Sequence, residues 1–101
     1  MSDLIPRKSW TLAFEGHEEN VFEIKELTDS EYLSALDISE AFYNEKSTRV
    51  ETEKAKLDLY EFMVEKVDGY DNPQVVPLKF RLNVALRLLK YLNPDVLEIK
   101  K

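Results

Sequence analysis

The sequence predicts an α+β fold: an N-terminal β-hairpin followed by three α-helices, packed as one small domain. Three observations carry that expectation. Two short runs near the N-terminus alternate apolar and polar residues, a helix-capping motif follows directly, and apolar residues then recur at helical spacing as far as Pro94. A chain of 101 residues has the size of one domain and cannot hold two independent cores.

Residues 1–8 carry Asp3, Pro6, Arg7 and Lys8 without the apolar segment of a signal peptide, and read as a flexible start. From Ser9 to Phe14, Trp10, Leu12 and Phe14 point one way while Thr11 and Ala13 point the other. Val21 to Leu27 alternates again, with Phe22 and Ile24 opposed to Glu23 and Lys25. Aromatic and β-branched residues in this pattern form half-buried strands. The polar stretch Glu15 to Asn20, with Gly16 free to take positive φ, connects them into a hairpin over residues 9–27.

Thr28 followed by Glu31 is a capping box, and Asp29 adds negative charge to the first turn of the helix it opens. That helix gathers Tyr32, Ala35, Leu36, Ser39, Phe42 and Tyr43 on one face and fades over Asn44 to Arg49. A second helix fits Glu51 to Val67, with Asp68-Gly69 as its stop. Tyr70 to Val76, containing Asn72-Pro73, reads as a loop. Pro77 suits the first turn of a third helix that runs to Leu92 and ends at Asn93-Pro94. The helices thus fill residues 28–94, and 95–101 form a tail. A two-stranded hairpin is marginal alone, so Trp10, Leu12, Phe14, Phe22 and Ile24 are expected to pack on the helices.

The second and third helices carry more apolar surface than one contact needs. The second has a core stripe of Ala55, Leu59, Phe62 and Met63, which Leu57, Tyr60 and Val64 extend round the helix. The third sets Leu78, Leu82, Ala85, Leu86, Leu89 and Leu92 on one side and Phe80, Val84, Leu88 and Tyr91 on the other. An ordinary surface helix has an apolar stripe of roughly 100°, and these two pass about 200°. Either the third helix is central and covered on two sides, or one stripe is a docking surface. The candidate protein-binding residues are therefore Phe80, Val84, Leu88 and Tyr91, with Leu57, Tyr60 and Val64.

Composition narrows the function classes. The chain has no cysteine, which excludes disulfides, thiolate zinc sites and cysteine nucleophiles and fits a cytoplasmic protein. No run of apolar residues is long enough to span a membrane. His17 stands among loop carboxylates without the partners that a catalytic base or a metal site requires. Asp68-Gly69-Tyr70-Asp71-Asn72 lacks the spacing and terminal Glu of an EF-hand loop, and no phosphate-binding or nucleophile-elbow motif is present. The expectation is a binding protein, with neither catalytic residues nor a cofactor. Charge is unevenly placed within the net −6: Glu15 to Glu31 holds seven acids against Lys25, whereas Pro77 to Pro94 holds Lys79, Arg81, Arg87 and Lys90 and no acid. That bipolar pattern points to internal pairing or to a partner with a charge pattern of its own. Net repulsion from phosphate argues against nucleic acid.

The strand that enters "VFEIKELTDSEYLSAL" and the later "LDLYEFMVEKVDGYDNP" resemble the small tail assembly chaperones of tailed bacteriophages. Lys25-Glu26-Leu27-Thr28, with Glu31 and Tyr32, matches that family's junction between strand and capped helix, and Leu57 to Gly69 matches the helix that follows; the likeness covers about residues 10–70. It implies a non-enzymatic role in virion tail morphogenesis in the host cytoplasm, binding the tape measure protein or tail tube subunits until they polymerise. Many such proteins also exist in a longer, frameshifted form. The alternatives from other classes are an acidic inhibitor that mimics DNA toward a host enzyme, and a homo-oligomeric structural protein that turns its stripes on itself. The capping box gives the local reading its own test. Thr28→Ala should lower stability by about 1 kcal/mol in chemical denaturation, and no loss would mean that the helix start is misplaced.

Overall fold

The computed structural model describes residues 4–7 and 11–92, so Trp10 and the tail 95–101 lie outside the described residues. The elements are β1 (Leu4–Arg7), β2 (Thr11–Phe14), β3 (His17–Ile24), α1 (Asp29–Ile38), α2 (Glu40–Tyr43), α3 (Arg49–Met63), β4 (Val64–Val67), a 3₁₀ turn (Pro73–Val75) and α4 (Leu78–Leu92). The fold is α+β, with an antiparallel sheet in the order β1-β2-β3-β4 and helices packed against it.

The expected hairpin is present as β2 and β3. Phe14 pairs with His17, so the connection is the two residues Glu15 and Gly16 rather than the whole stretch Glu15 to Asn20, and Gly16 takes φ +89°. The register slips between Leu12 and Phe14, and Ala13 and Phe14 are both buried in place of a strict alternation. The hairpin is also widened on both sides. Leu4–Arg7, read from sequence as a flexible start, pairs antiparallel with β2 from Leu4↔Phe14 to Arg7↔Thr11. On the far side β4 pairs with β3.

That fourth strand corrects the second helix, which ends at Met63 rather than Val67. At Val64 the backbone opens to φ −92°, ψ 117°, while its N–H still donates to the Tyr60 carbonyl. The Met63 carbonyl, orphaned at the helix end, accepts from Lys25 N at 2.7 Å. Ile24 pairs with Val64 and Glu23 with Lys66, which leaves Glu65 as an extra residue in β4. This bulge shifts the side-chain phase, so Val64 and Val67 are both buried although they lie three apart. Gly69 therefore ends a strand and not a helix. It turns the chain at φ +90°, where a Cβ would come within 2.7 Å of Asn20 Nδ2, the group that donates to the Asp68 carbonyl at 3.0 Å.

The helix starts follow their capping chemistry. At α1, Thr28 Oγ1 accepts from Glu31 N at 3.3 Å and Glu31 Oε1 accepts from Thr28 N at 3.0 Å. A second box, Thr48 with Glu51, opens α3 by the same pair of bonds at 3.1 and 2.8 Å. Glu31 also meets Lys25 Nζ at 2.8 Å. That contact, with the bond from the Thr28 backbone, holds its carboxyl below the ordinary glutamate range. The first helix is interrupted at the buried Ser39, whose hydroxyl donates to the Leu36 carbonyl at 2.8 Å.

The core lies where α3 and α4 cross the sheet. Leu59, Tyr60 and Met63 from α3 meet Val84, Ala85, Leu88, Leu89 and Leu92 from α4, over Phe14, Phe22, Ile24 and the two β4 valines. Burial pushes the Tyr60 phenol up to about 12, and its hydroxyl donates to the Pro73 carbonyl at 2.7 Å, tying α3 to the turn before α4. Tyr32 and Tyr43 donate to the Leu92 and Leu89 carbonyls at 2.8 and 3.4 Å, which satisfies acceptors that the end of α4 would otherwise leave open.

Candidate protein-binding surface

The residues singled out from sequence separate into core and surface. Val84, Leu88, Tyr60 and Val64 do not form an accessible stripe: their exposures are 0%, 1%, 0% and 5%. Val84 and Leu88 belong to the core cluster shared with α3 and the sheet, Tyr60 reaches from α3 to the Pro73 turn, and Val64 belongs to β4. Leu57 is half-buried on α3. Phe80 and Tyr91, at the two ends of the α4 stripe, keep part of their surface exposed.

Phe80 is held by the sheet. Its ring stands 4.8 Å from Phe14 and 5.9 Å from His17, both edge-on, and Lys79 Nζ lies 5.4 Å from its centre. Beside it is a cleft of about 150 Å³, floored by Phe14, Phe22 and Val76 and walled by His17, Tyr70 and Phe80. His17 thus packs against an aromatic ring at the mouth of a cleft. Among the described residues no three His, Asp or Glu side chains are gathered where they would hold a metal.

The larger accessible apolar feature of α4 comes from the other stripe. Leu78 and Leu86 are 50% and 40% exposed, and Leu82 between them is half-buried. At i, i+4 and i+8 they form one ridge, and Val75 in the preceding turn is exposed as well. Their stripe partners Ala85, Leu89 and Leu92 are in the core. The buried face of α4 therefore straddles both sequence stripes, and an outer edge of each is left over. Leu33 and Val50 are also exposed, singly, on α1 and α3.

Charge lies along the ridge. Of the four α4 cations, Arg81 is engaged by donating from Nε to the Val76 carbonyl at 2.8 Å. Lys79, Arg87 and Lys90 make no ion pair among the described residues, whose recorded pairs are Lys25–Glu31, Lys56–Glu53 and Lys66–Asp68. In the sequence Leu82 and Leu86 belong to the first of the two α4 stripes, and nothing local marks them as the more exposed. The missing signal was the position of α3 and the sheet, which decides which arc of α4 is covered.

No helix among the described residues is long and apolar enough to cross a membrane. In comparisons with known proteins, no family model, no curated protein and no solved structure matches this chain. The partition of α4 can be read by substitution. Leu88→Ala should cost about 2–5 kcal/mol in urea denaturation, as deletion from a packed core does, and Leu86→Ala about 0.5 kcal/mol or less. Equal losses at the two positions would place the ridge inside.

Proposed function

We propose that this chain is a non-enzymatic assembly chaperone of the phage tail type, which binds a helical client such as the tape measure protein through the outer face of α4. The observation that carries the reading is the partly exposed ridge Leu78-Leu82-Leu86 on a helix whose remaining apolar face is buried in the core and whose last carbonyls accept from the α1 and α2 tyrosines. A folded scaffold that leaves such a ridge open offers helix-against-helix contacts to a client seam that would otherwise aggregate. The acidic surface elsewhere keeps the complex dispersed, since the chain retains a net charge of −6. The strand-to-helix junction at Lys25 to Thr28, where the sequence resembles that family, supports the same reading by folding as a capped helix start.

Co-expression tests it. Helical fragments of the tape measure protein from the same genome should remain in the soluble fraction with the wild-type chain. They should return to the pellet with the Leu82→Asp, Leu86→Asp double variant, provided that circular dichroism shows that variant folded. Fragments that are equally insoluble with and without the chain would refute the proposal.

A further inference from the structure

The charge beside the ridge specifies its partner more closely than apolarity does. Lys79, Asn83 and Lys90 stand at i, i+4 and i+11, so they form one row along the edge of Leu82 and Leu86, with Arg87 one step further round. The ridge spans about 12 Å and the cationic row about 16 Å, roughly the length of a three-turn helix. No acid occurs between Pro77 and Leu92, and none of the three cations is neutralised by a carboxylate among the described residues.

This distribution opposes a second copy of the chain as occupant. Packing α4 against α4 about a twofold axis would bring six unneutralised cations to one interface with no anion from either helix. The acidic Glu15 to Glu31 region of another copy would supply carboxylates but no matching seam, since its Phe22 and Ile24 are buried in the core. We propose instead that α4 receives an amphipathic helix from a different protein, with an apolar seam for Leu78, Leu82 and Leu86 and a flanking row of Asp or Glu for Lys79, Lys90 and Arg87. This rests on the reading of α4 as the docking surface and adds the sign of the partner's charge. Because the contact is partly electrostatic and exposed, it weakens with salt.

Two synthetic 18-residue helical peptides test it, with identical leucine seams and flanks of either Glu or Lys. Binding to the full-length chain is read by fluorescence anisotropy. The Glu-flanked peptide should bind at least about tenfold more tightly than the Lys-flanked one, from three exposed charge pairs, and the gap should narrow in high salt. The Lys79→Glu, Lys90→Glu variant, altered only at exposed positions, should reverse the order. Leu86→Ser should weaken both peptides. Equal affinities, a preference for the Lys flank, no binding of either peptide, tighter binding of a duplex oligonucleotide, or a closed dimer in sedimentation that Leu86→Ser dissociates would each overturn the proposal. The co-expression result is independent of flank charge. Clients held soluble by a chain that shows no peptide preference would sink this inference and leave the chaperone reading standing.

Discussion

Between Met63 and Val64 the backbone passes from helix to strand without a connecting loop, and most of the molecule is arranged around that change. A helix end exposes carbonyls that need donors, and here the sheet supplies one: Lys25 N, at the end of β3, bonds the Met63 carbonyl. The four residues of β4 then carry the chain back along β3, with Glu65 bulged so that Val64 and Val67 both reach the core. Asp68 N closes the other end of the pairing by donating to the Val21 carbonyl at 2.9 Å. The helix is thus fixed at its last turn to the edge of the sheet, and Tyr60, one turn earlier, is carried under the Pro73 turn. Had α3 continued to Val67, Lys25 N would lose this acceptor and the sheet would end at β3.

From that fixed corner the placement of α4 follows. The turn bonded by Tyr60 delivers the chain to Pro77, and Arg81 secures the first turn of α4 by reaching back to the Val76 carbonyl. Phe80 stacks edge-on with Phe14 of the sheet, while Tyr32 and Tyr43 bond carbonyls at the far end. These contacts set the rotation of α4 about its axis, turning Val84, Ala85, Leu88, Leu89 and Leu92 inward. What remains outside is a narrow apolar ridge edged with cations, on a chain that is otherwise acidic. Function, in the reading proposed, is the remainder left after the core has taken what it needs.

Local signals in the sequence were sufficient wherever the structure is local. The capping box at Thr28, the positive φ at Gly16 and the limits of α4 all depend on a few neighbouring residues, and each is legible. The Thr48-Arg49-Val50-Glu51 box was equally readable and moves the start of α3 back from Glu51 to Arg49. The parts that were not legible depend on distant partners. Val64-Glu65-Lys66-Val67 continues the helical periodicity of Leu59, Phe62 and Met63, and only the presence of β3 beside it makes a strand the better state. Leu4-Ile5-Pro6-Arg7 has too few residues to declare itself before β2 offers an edge. On α4 the surplus of apolar residues was plain, but its division into inside and outside is a property of the neighbours. For that reason Val84 and Leu88, candidates for the surface by sequence, are core, and Leu78 and Leu86 are exposed instead.

The central claim is that the chain changes from helix to strand at Val64 and so fixes which face of α4 is left over. NMR backbone assignment of the free protein tests it directly. Cα and Cβ shifts should change from helical to extended values at Val64, and Glu23 and Lys66 should show the cross-strand contacts of paired residues. Helical shifts continuing through Val67, with no contact between Lys66 and β3, would contradict the account.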